Sequence, residues 1–598
     1  MNTSIRRRAF AAVVALFAAA AALFAFASSN STTLANGAGL KPAQTGAGEN
    51  LYNGKKGGTL TVFDSEDFEH LDPGEAYFDL DYQIMYATQM TLFAYKPNQT
   101  TVASPLLASA QPVVTNGGKT VTIHIKPNVK FSPPVSRDVT SSDVAYAIER
   151  GANPNVGNAY FQPYFGDIVG AAKATGGPIA GILTPNATTI VFHLTAPTAD
   201  LLIGALSLPL SAPVPESFAA KYDKLKPTQY GTSYEVFTGP YMLQSTSAGK
   251  FLGLGYQPGK SATLVRNPNW NPSTDWAPAY LNEIKINIGG AAQVIGLQVL
   301  KGSDSVQNDT PTNSNVELAY TKYYKQLVAV PGAGDHYVSL NNAHGLFTNV
   351  NIRRAVYAAL DRTAMVKVAG GTIVGSVATH FITPGSAGYT QSGGDAGPKY
   401  AWNEYPSGNL AVAQTYMKKA GFSSGKYTGS DTVSIVGADN SNGPETSAIV
   451  KDAFTELGIP SKIVSVDQSV MYAKYCGVPK AEVDACSTVG WIRDFADPAT
   501  ILYVPFYGPT IVPTNNSNWG QVNNPQINAA MVTASNTVGA TPRANAWAKV
   551  DDLLVNDAVA IPYIFDKQPS IESANVRGIN DLWNTGSWDY AFTSLNTP

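Results

Sequence analysis

The chain is 598 residues long, enough for roughly four units of ordinary size or fewer larger ones, so a peptide hormone or a single-module adaptor is excluded. Forty Lys and Arg against 43 Asp and Glu give −3, and setting aside a leader that holds three arginines and no acid takes the balance to −6, which excludes a nucleic-acid footprint. Charged residues are only 14%, against roughly 25% in ordinary globular chains, so Asn, Thr, Ser, Gln and 30 Tyr carry the surface, as in exported proteins; 44% apolar content excludes wholesale disorder.

Arg6, Arg7 and Arg8 precede an apolar run over 9–27, and Ala25 and Ala27 stand at A-x-A spacing before Ser28. These are the three zones of a secretory signal peptide over 1–27. The run is long enough to span a bilayer, which keeps an uncleaved anchor open. Arg7-Arg8-Ala9-Phe10 also weakly resembles a twin-arginine signal. No cysteine lies near the cleavage site, so a lipid anchor has no attachment point. Residues 28–57 are mostly small and polar and read as a flexible linker. No other stretch is apolar enough to cross a membrane.

Order begins with a short strand in Gly58-Thr59-Leu60-Thr61-Val62, and Leu71-Asp72-Pro73 breaks the chain at a turn. Strand alternation returns over 120–125. Thr140-Ser141-Ser142-Asp143 then caps a helix whose Val144 and Ile148 share a face. Ile352, Ala355, Val356, Ala359 and Leu360 recur at helical spacing, as do Leu410, Ala413, Met417 and Ala420 before a stop at Gly421. A strand over 431–436, a helix through Ile449, Val450, Ala453, Phe454 and Leu457, and a strand over 462–466 make a βαβ unit, which requires a sheet covered by helices. No period of 20 to 50 residues repeats, which excludes solenoids and propellers. Cys476 and Cys486 are the only cysteines in a chain that leaves the cytosol, so they are expected to pair with each other. They lack the C-x-x-C spacing or neighbouring His of a redox or zinc site.

A secreted hydrolase is the competing class. Gly421-Phe422-Ser423-Ser424-Gly425 fits G-x-S-x-G, but a nucleophile elbow needs a strand before it, and here a helix precedes. Six scattered histidines include no i, i+4 pair for a metal, and neither a dinucleotide fingerprint nor a P-loop is present, so no cofactor is expected.

The ordered segments taken together resemble family 5 of the bacterial solute-binding proteins, the oligopeptide-, dipeptide- and nickel-binding components of ABC importers. The resemblance is carried by Leu71-Asp72-Pro73, Ser104-Pro105-Leu106-Leu107-Ala108, Ile125-Lys126-Pro127-Asn128-Val129-Lys130-Phe131 and Ser142-Asp143-Val144-Ala145-Tyr146. It continues through Thr238-Gly239-Pro240-Tyr241, Arg266-Asn267-Pro268-Asn269-Trp270, Asn351-Ile352-Arg353-Arg354-Ala355-Val356, Ala359-Leu360-Asp361-Arg362 and Lys419-Ala420-Gly421-Phe422. It ends with Gly490-Trp491-Ile492-Arg493-Asp494-Phe495-Ala496-Asp497-Pro498 and Ala560-Ile561-Pro562-Tyr563.

The resemblance implies an α/β, two-lobed periplasmic-binding-protein-like fold of the large three-subdomain form, type II, with a cleft between lobes that closes over ligand. Lobe I is expected at 58–90, 197–335 and 564–598, a subdomain inserted in lobe I at 91–196, and lobe II at 336–563. Segments 336–341 and 561–565 are expected to cross between lobes. The implied function is capture of a peptide-like small solute outside the cytoplasm and delivery to ABC permease subunits at the membrane, by a monomer without catalysis. In the peptide-binding relatives, the carboxylate three residues after the tryptophan holds the ligand's ammonium, which here is Asp494. Trp491, with Gly490 before it, is expected to wall the cleft. Asp497 is the rival acid, its alternative being turn formation before Pro498. Tyr77, Asp79 and Tyr241 are expected to face ligand from lobe I, Tyr241 having a packed strand residue as its alternative. Relatives of this fold bind peptides, nickel chelates and sugars.

Overall fold

The computed structural model describes residues 50–97, 99–439, 442–579 and 588–596. The signal peptide and most of the linker expected from the sequence lie outside them. Among the described residues no helix is long and apolar enough to cross a membrane. Residues 50–57, at the end of that linker, are mostly exposed, with Leu51 the one buried side chain among them. The ring of Tyr52 meets Phe592 edge-on, and Tyr280 donates to the Leu51 carbonyl at 3.0 Å.

The described residues form two compact units, one reaching Val330 and resuming at Pro569, the other Pro331–Gln568. In the first, β1 (Thr59–Asp64) alternates half-buried and buried positions, as its β-branched T-L-T-V pattern dictates. Helix α1 (Asp79–Thr88) follows the Leu71-Asp72-Pro73 turn. A four-stranded antiparallel sheet joins β2 (Val113–Thr115), β3 (Thr120–His124), β4 (Ile182–Asn186) and β5 (Thr189–His193). Between its strands, α2 (Ser141–Arg150) starts at a reciprocal cap: the Asp143 carboxylate accepts from the Thr140 amide at 2.8 Å and hydroxyl at 2.9 Å. Val144 and Ile148 of α2 are fully buried. The main sheet of this unit adds β6 (Tyr241–Leu243), β7 (Ser261–Arg266), β8 (Glu283–Ile288) and β9 (Ser305–Gln307). Strand β1 is central, parallel to β8 and β9, while β7 runs antiparallel between β8 and β6.

The second unit is also mixed α/β. Its strands are β10 (Leu327–Leu340), whose last ten residues belong to it, β11 (Val433–Ala438), β12 (Ser461–Val466), β13 (Ala485–Ile492) and β14 (Ala560–Glu572). They are ordered β12-β11-β13-β10-β14. Parallel β11 and β12 are joined by the helix Gly443–Glu456, the βαβ unit read from the sequence. The helices Val350–Ala359 and Leu410–Lys419 bring Ile352, Val356, Ala413 and Met417 into one core with Leu340, Ile435 and Phe454. Leu410 departs from its expected stripe and is exposed at the first turn, Tyr416 being buried instead. The chain passes between units at Val330/Pro331 and Gln568/Pro569, inside β10 and β14 but outside 336–341 and 561–565. Strands run past the segments that hydrophobicity alone picks out, because Pro331, Gly332 and Gly334 look like turn residues until a ladder holds them. Cys476 and Cys486 are bonded to each other.

Candidate functional site in the Pro331–Gln568 unit

The motif that ends β13 is built on its antiparallel pairing with β10, which sets Trp491 opposite Asp335 and Gly490 opposite His336. Position 490 needs glycine. A Cβ there would stand 2.7 Å from the Asp335 carbonyl oxygen and 2.7 Å from His336 Cδ2. Trp491 is half-buried, and its indole N–H donates to the Thr500 carbonyl at 2.8 Å. Thr500 lies in the helix α3 (Ala499–Phe506) and returns its hydroxyl to the Phe495 carbonyl at 3.0 Å and the Asp497 carbonyl at 2.9 Å. The loop carrying Asp494 is thereby pinned at both ends.

The two acids of this loop have different surroundings. Asp497 accepts from the Ala499 amide at 2.8 Å and forms a bidentate pair with Arg543, one contact 2.5 Å and the other 3.0 Å. Arg543, itself buried, also donates to the Ala534 and Ser535 carbonyls at 3.0 and 2.9 Å. Asp497 therefore stitches the loop to the Ala540–Asn556 helix, its carboxylate occupied by the protein itself. Asp494 is 9% exposed. Its neighbour Arg493 sends Nη1 to the Pro384 carbonyl, the Ser386 hydroxyl and the Thr383 hydroxyl at 2.7, 2.7 and 3.2 Å.

Sequence reasoning missed an acid on the neighbouring strand. Asp335 is 1% exposed, and neither of its oxygens meets a hydrogen-bond partner. Burial, then Asp566 and Asp551, push its carboxyl well above the usual range. Next to it, His336 Nδ1 lies 3.0 Å from Asp566, whose charge keeps the imidazole pKa raised against the opposing effect of burial. A lone aspartate in V-A-V-P-G-A-G-D-H-Y-V was the only available signal.

The other unit holds the remaining candidates. Tyr77 is half-buried, its ring 6.0 Å from Phe78 and 5.9 Å from Tyr160. Asp79 opens α1, with its side chain outside what is described. Tyr241 on β6 takes the packed alternative. It is fully buried, donates to the Leu281 carbonyl at 3.2 Å and lies under Arg266, so its place is the packed strand position; burial pushes its phenol up. The G-x-S-x-G serine, Ser423, is exposed in the turn that ends the Leu410–Lys419 helix, where Gly421 takes φ +101°, and no strand leads into it. Among the described residues no group of three or more His, Cys, Asp or Glu is placed to hold a metal.

Comparison with known proteins bears on these placements. The family model for the bacterial extracellular solute-binding proteins, family 5 middle region, matches residues 103–511. The glutathione-binding protein GsiB of Salmonella paratyphi A is 23% identical over 532 residues, covering 88% of this chain and 93% of the relative. Among solved structures, the clavulanic acid biosynthesis oligopeptide binding protein 2 superposes with TM-score 0.77 at 21% identity, covering 90% of this chain and 96% of its own. The DppA periplasmic binding protein of Helicobacter pylori, solved with the peptide STSA, gives TM-score 0.66 at 19% identity, with coverage of 91% and 99%. The α/β architecture of these binding proteins is thus shared along the chain, and the match over more than half its length makes it a member of the bacterial extracellular solute-binding proteins, family 5.

Proposed function

We propose that this protein is the exported, non-catalytic receptor of an ABC importer, capturing peptides and handing them to membrane permease subunits. The observation that carries this reading is Asp494: a carboxylate nine-tenths buried, directly beyond the Gly490-Trp491 strand end, in a chain of solute-binding ancestry. A buried ammonium needs a fixed counter-charge, since leaving it unpaired costs several kcal/mol. Asp494 supplies that charge and Trp491 the apolar wall beside it, while the peptide backbone takes strand-like hydrogen bonds that are indifferent to side chains. Tyr77 and Asp79 are secondary contacts in the same scheme. The names of relatives, a glutathione-binding and an oligopeptide-binding protein among them, agree with a peptide-like ligand. The leader over 1–27 provides export, and the lobe assignment stated from the sequence goes with this reading.

The test is calorimetry with a free and an N-acetylated peptide. Asp494→Ala should cost about 2–5 kcal/mol of binding, roughly 30-fold to several thousand-fold in Kd, because it strands a desolvated ammonium. Acetylation should weaken the wild type and leave Asp494→Ala little changed. Asp497→Ala, by contrast, should cost stability through Arg543 and leave the acetylation effect intact. Equal binding of both peptides by the wild type would remove Asp494 as an ammonium anchor.

A further inference from the structure

Asp335 is the buried group for which the fold provides least. Both oxygens are enclosed without a side-chain donor, while most other buried carboxylates among the described residues have one. A carboxylate left this way costs several kcal/mol unless it is protonated or meets a partner that the chain does not contain. No basic side chain takes that part: His336 is engaged with Asp566, and Nη1 of Arg493 with the 383–386 segment.

What surrounds Asp335 narrows the missing partner. Opposite residues of an antiparallel pair share a face, so Trp491 stands beside it, and alternation along β10 adds Tyr337 to the same side. The hydroxyl of Tyr337 is likewise buried without a partner. Trp519 packs between these rings, 6.0 Å from Trp491 and 5.9 Å from Tyr337, and Tyr472 closes on Trp519 at 5.0 Å. Aromatic faces attract cations lying within about 6 Å, and an acceptor-only carboxylate asks for the same thing. A metal ion is disfavoured by the donor set, one carboxylate among rings.

We propose that Asp335, with Trp491, Trp519 and Tyr337, forms a subsite for an organic cation, a protonated alkylamine or guanidinium such as the basic side chain of a bound peptide. Trp491 is the least buried of these residues, so the cation enters beside it. In the empty protein burial and the neighbouring acids Asp566 and Asp551 favour the protonated form of Asp335, and an arriving cation favours the ionised one, the displaced proton leaving to solvent. The natural ligand named here rests on the peptide reading; the subsite itself rests on the geometry.

Two pairs of probes separate the two. The first is n-butylguanidinium against 1-butanol, followed by tryptophan fluorescence of the mature protein; the second is Ala-Lys-Ala against Ala-norleucine-Ala, followed by calorimetry. The cation is expected to bind saturably where butanol does not, and the lysine peptide at least about tenfold more tightly than its neutral isostere. Asp335→Asn should abolish both preferences while keeping the sensitivity to N-terminal acetylation that reports on Asp494. Its apo melting temperature should equal or exceed that of the wild type, since a buried acid without a partner is replaced by a neutral amide of the same shape; a clear fall would mark Asp335 as a structural residue and overturn the subsite. Cation and butanol behaving alike, or preferences unchanged in Asp335→Asn, would also overturn it. If neither peptide binds while the Asp335-dependent cation does, the peptide reading falls and the subsite stands.

Discussion

Arg150 in one unit and Asp335 in the other are each 1% exposed, yet their surroundings are opposite. Arg150 donates twice to Asp72, at 2.6 and 2.8 Å, and twice to Asp223, at 3.0 and 2.7 Å, while its guanidinium lies 4.9 Å from the Tyr230 ring. The acids are completed in turn: Asp72 accepts from the Gly74 amide at 2.7 Å, and Asp223 from the Thr228 and Tyr146 hydroxyls at 2.8 Å each. Although burial opposes it, Arg150 holds the Asp223 carboxyl below its ordinary range. Nothing remains there for a ligand to do. At Asp335 no side-chain counter-charge meets the carboxylate. The difference separates a charge buried to fix the fold, which meets its counter-charges inside the chain, from one buried to meet something that comes from outside.

The largest effect that would break this comparison is at Arg150. Arg150→Met leaves Asp72 and Asp223 facing each other without a cation and should cost about 3–5 kcal/mol of stability in denaturant unfolding, against no loss for Asp335→Leu. Equal losses at both sites would erase the distinction. A second test sharpens it with pH. Glu75 is a third acid beside the arginine, its pKa pushed up to about 9, first by burial and then by Asp72. His70, 3.7 Å away, does not neutralise it, because burial lowers the imidazole pKa. The unfolded value is about 4.5, so the folded state binds the proton more tightly. That stabilisation is complete below about pH 4.5 and is lost as pH rises towards 9, at about 1.4 kcal/mol per unit. Glu75→Gln should therefore match the wild type near pH 4 and exceed it by a few kcal/mol at pH 8, in parallel thermal melts. The smallest effect falls in the other unit: replacing Cys476 and Cys486 by serine opens a short ring and should cost somewhat under about 3 kcal/mol, read by hydrogen exchange confined to Pro331–Gln568. Loss of protection across the Arg150 unit as well would show that the two units do not unfold separately.

Much of this was legible beforehand where the information is local. The Thr140–Asp143 cap and the apolar spacing of Ile352, Ala355, Val356 and Ala359 are fixed by short-range geometry, and both elements stand where the sequence puts them. The motif from Gly490 to Pro498 is likewise local, and so is its strand-loop-helix form. What failed depended on partners distant in the chain. Leu410 has the right spacing, but the first turn of its helix overhangs the core. Tyr241 became packed because Leu281, forty residues on, offers its carbonyl.

By itself, then, the sequence determined the class of fold, the family, the cysteine pair and the loop that carries the two candidate acids, because period, cap, motif and cysteine count all act within a few residues or by simple exclusion. Only the tertiary structure decided what surrounds each acid. Asp494 and Asp497 differ by three positions in one motif, and it is Arg543, 46 residues further on, that pairs with Asp497. Asp335 looks like a turn residue among Pro331, Gly332 and Gly334 until β13 pairs with β10 and buries it against Trp491. Burial and counter-charge are properties of what surrounds a side chain, and those surroundings come from strands and helices that meet only when the chain has folded.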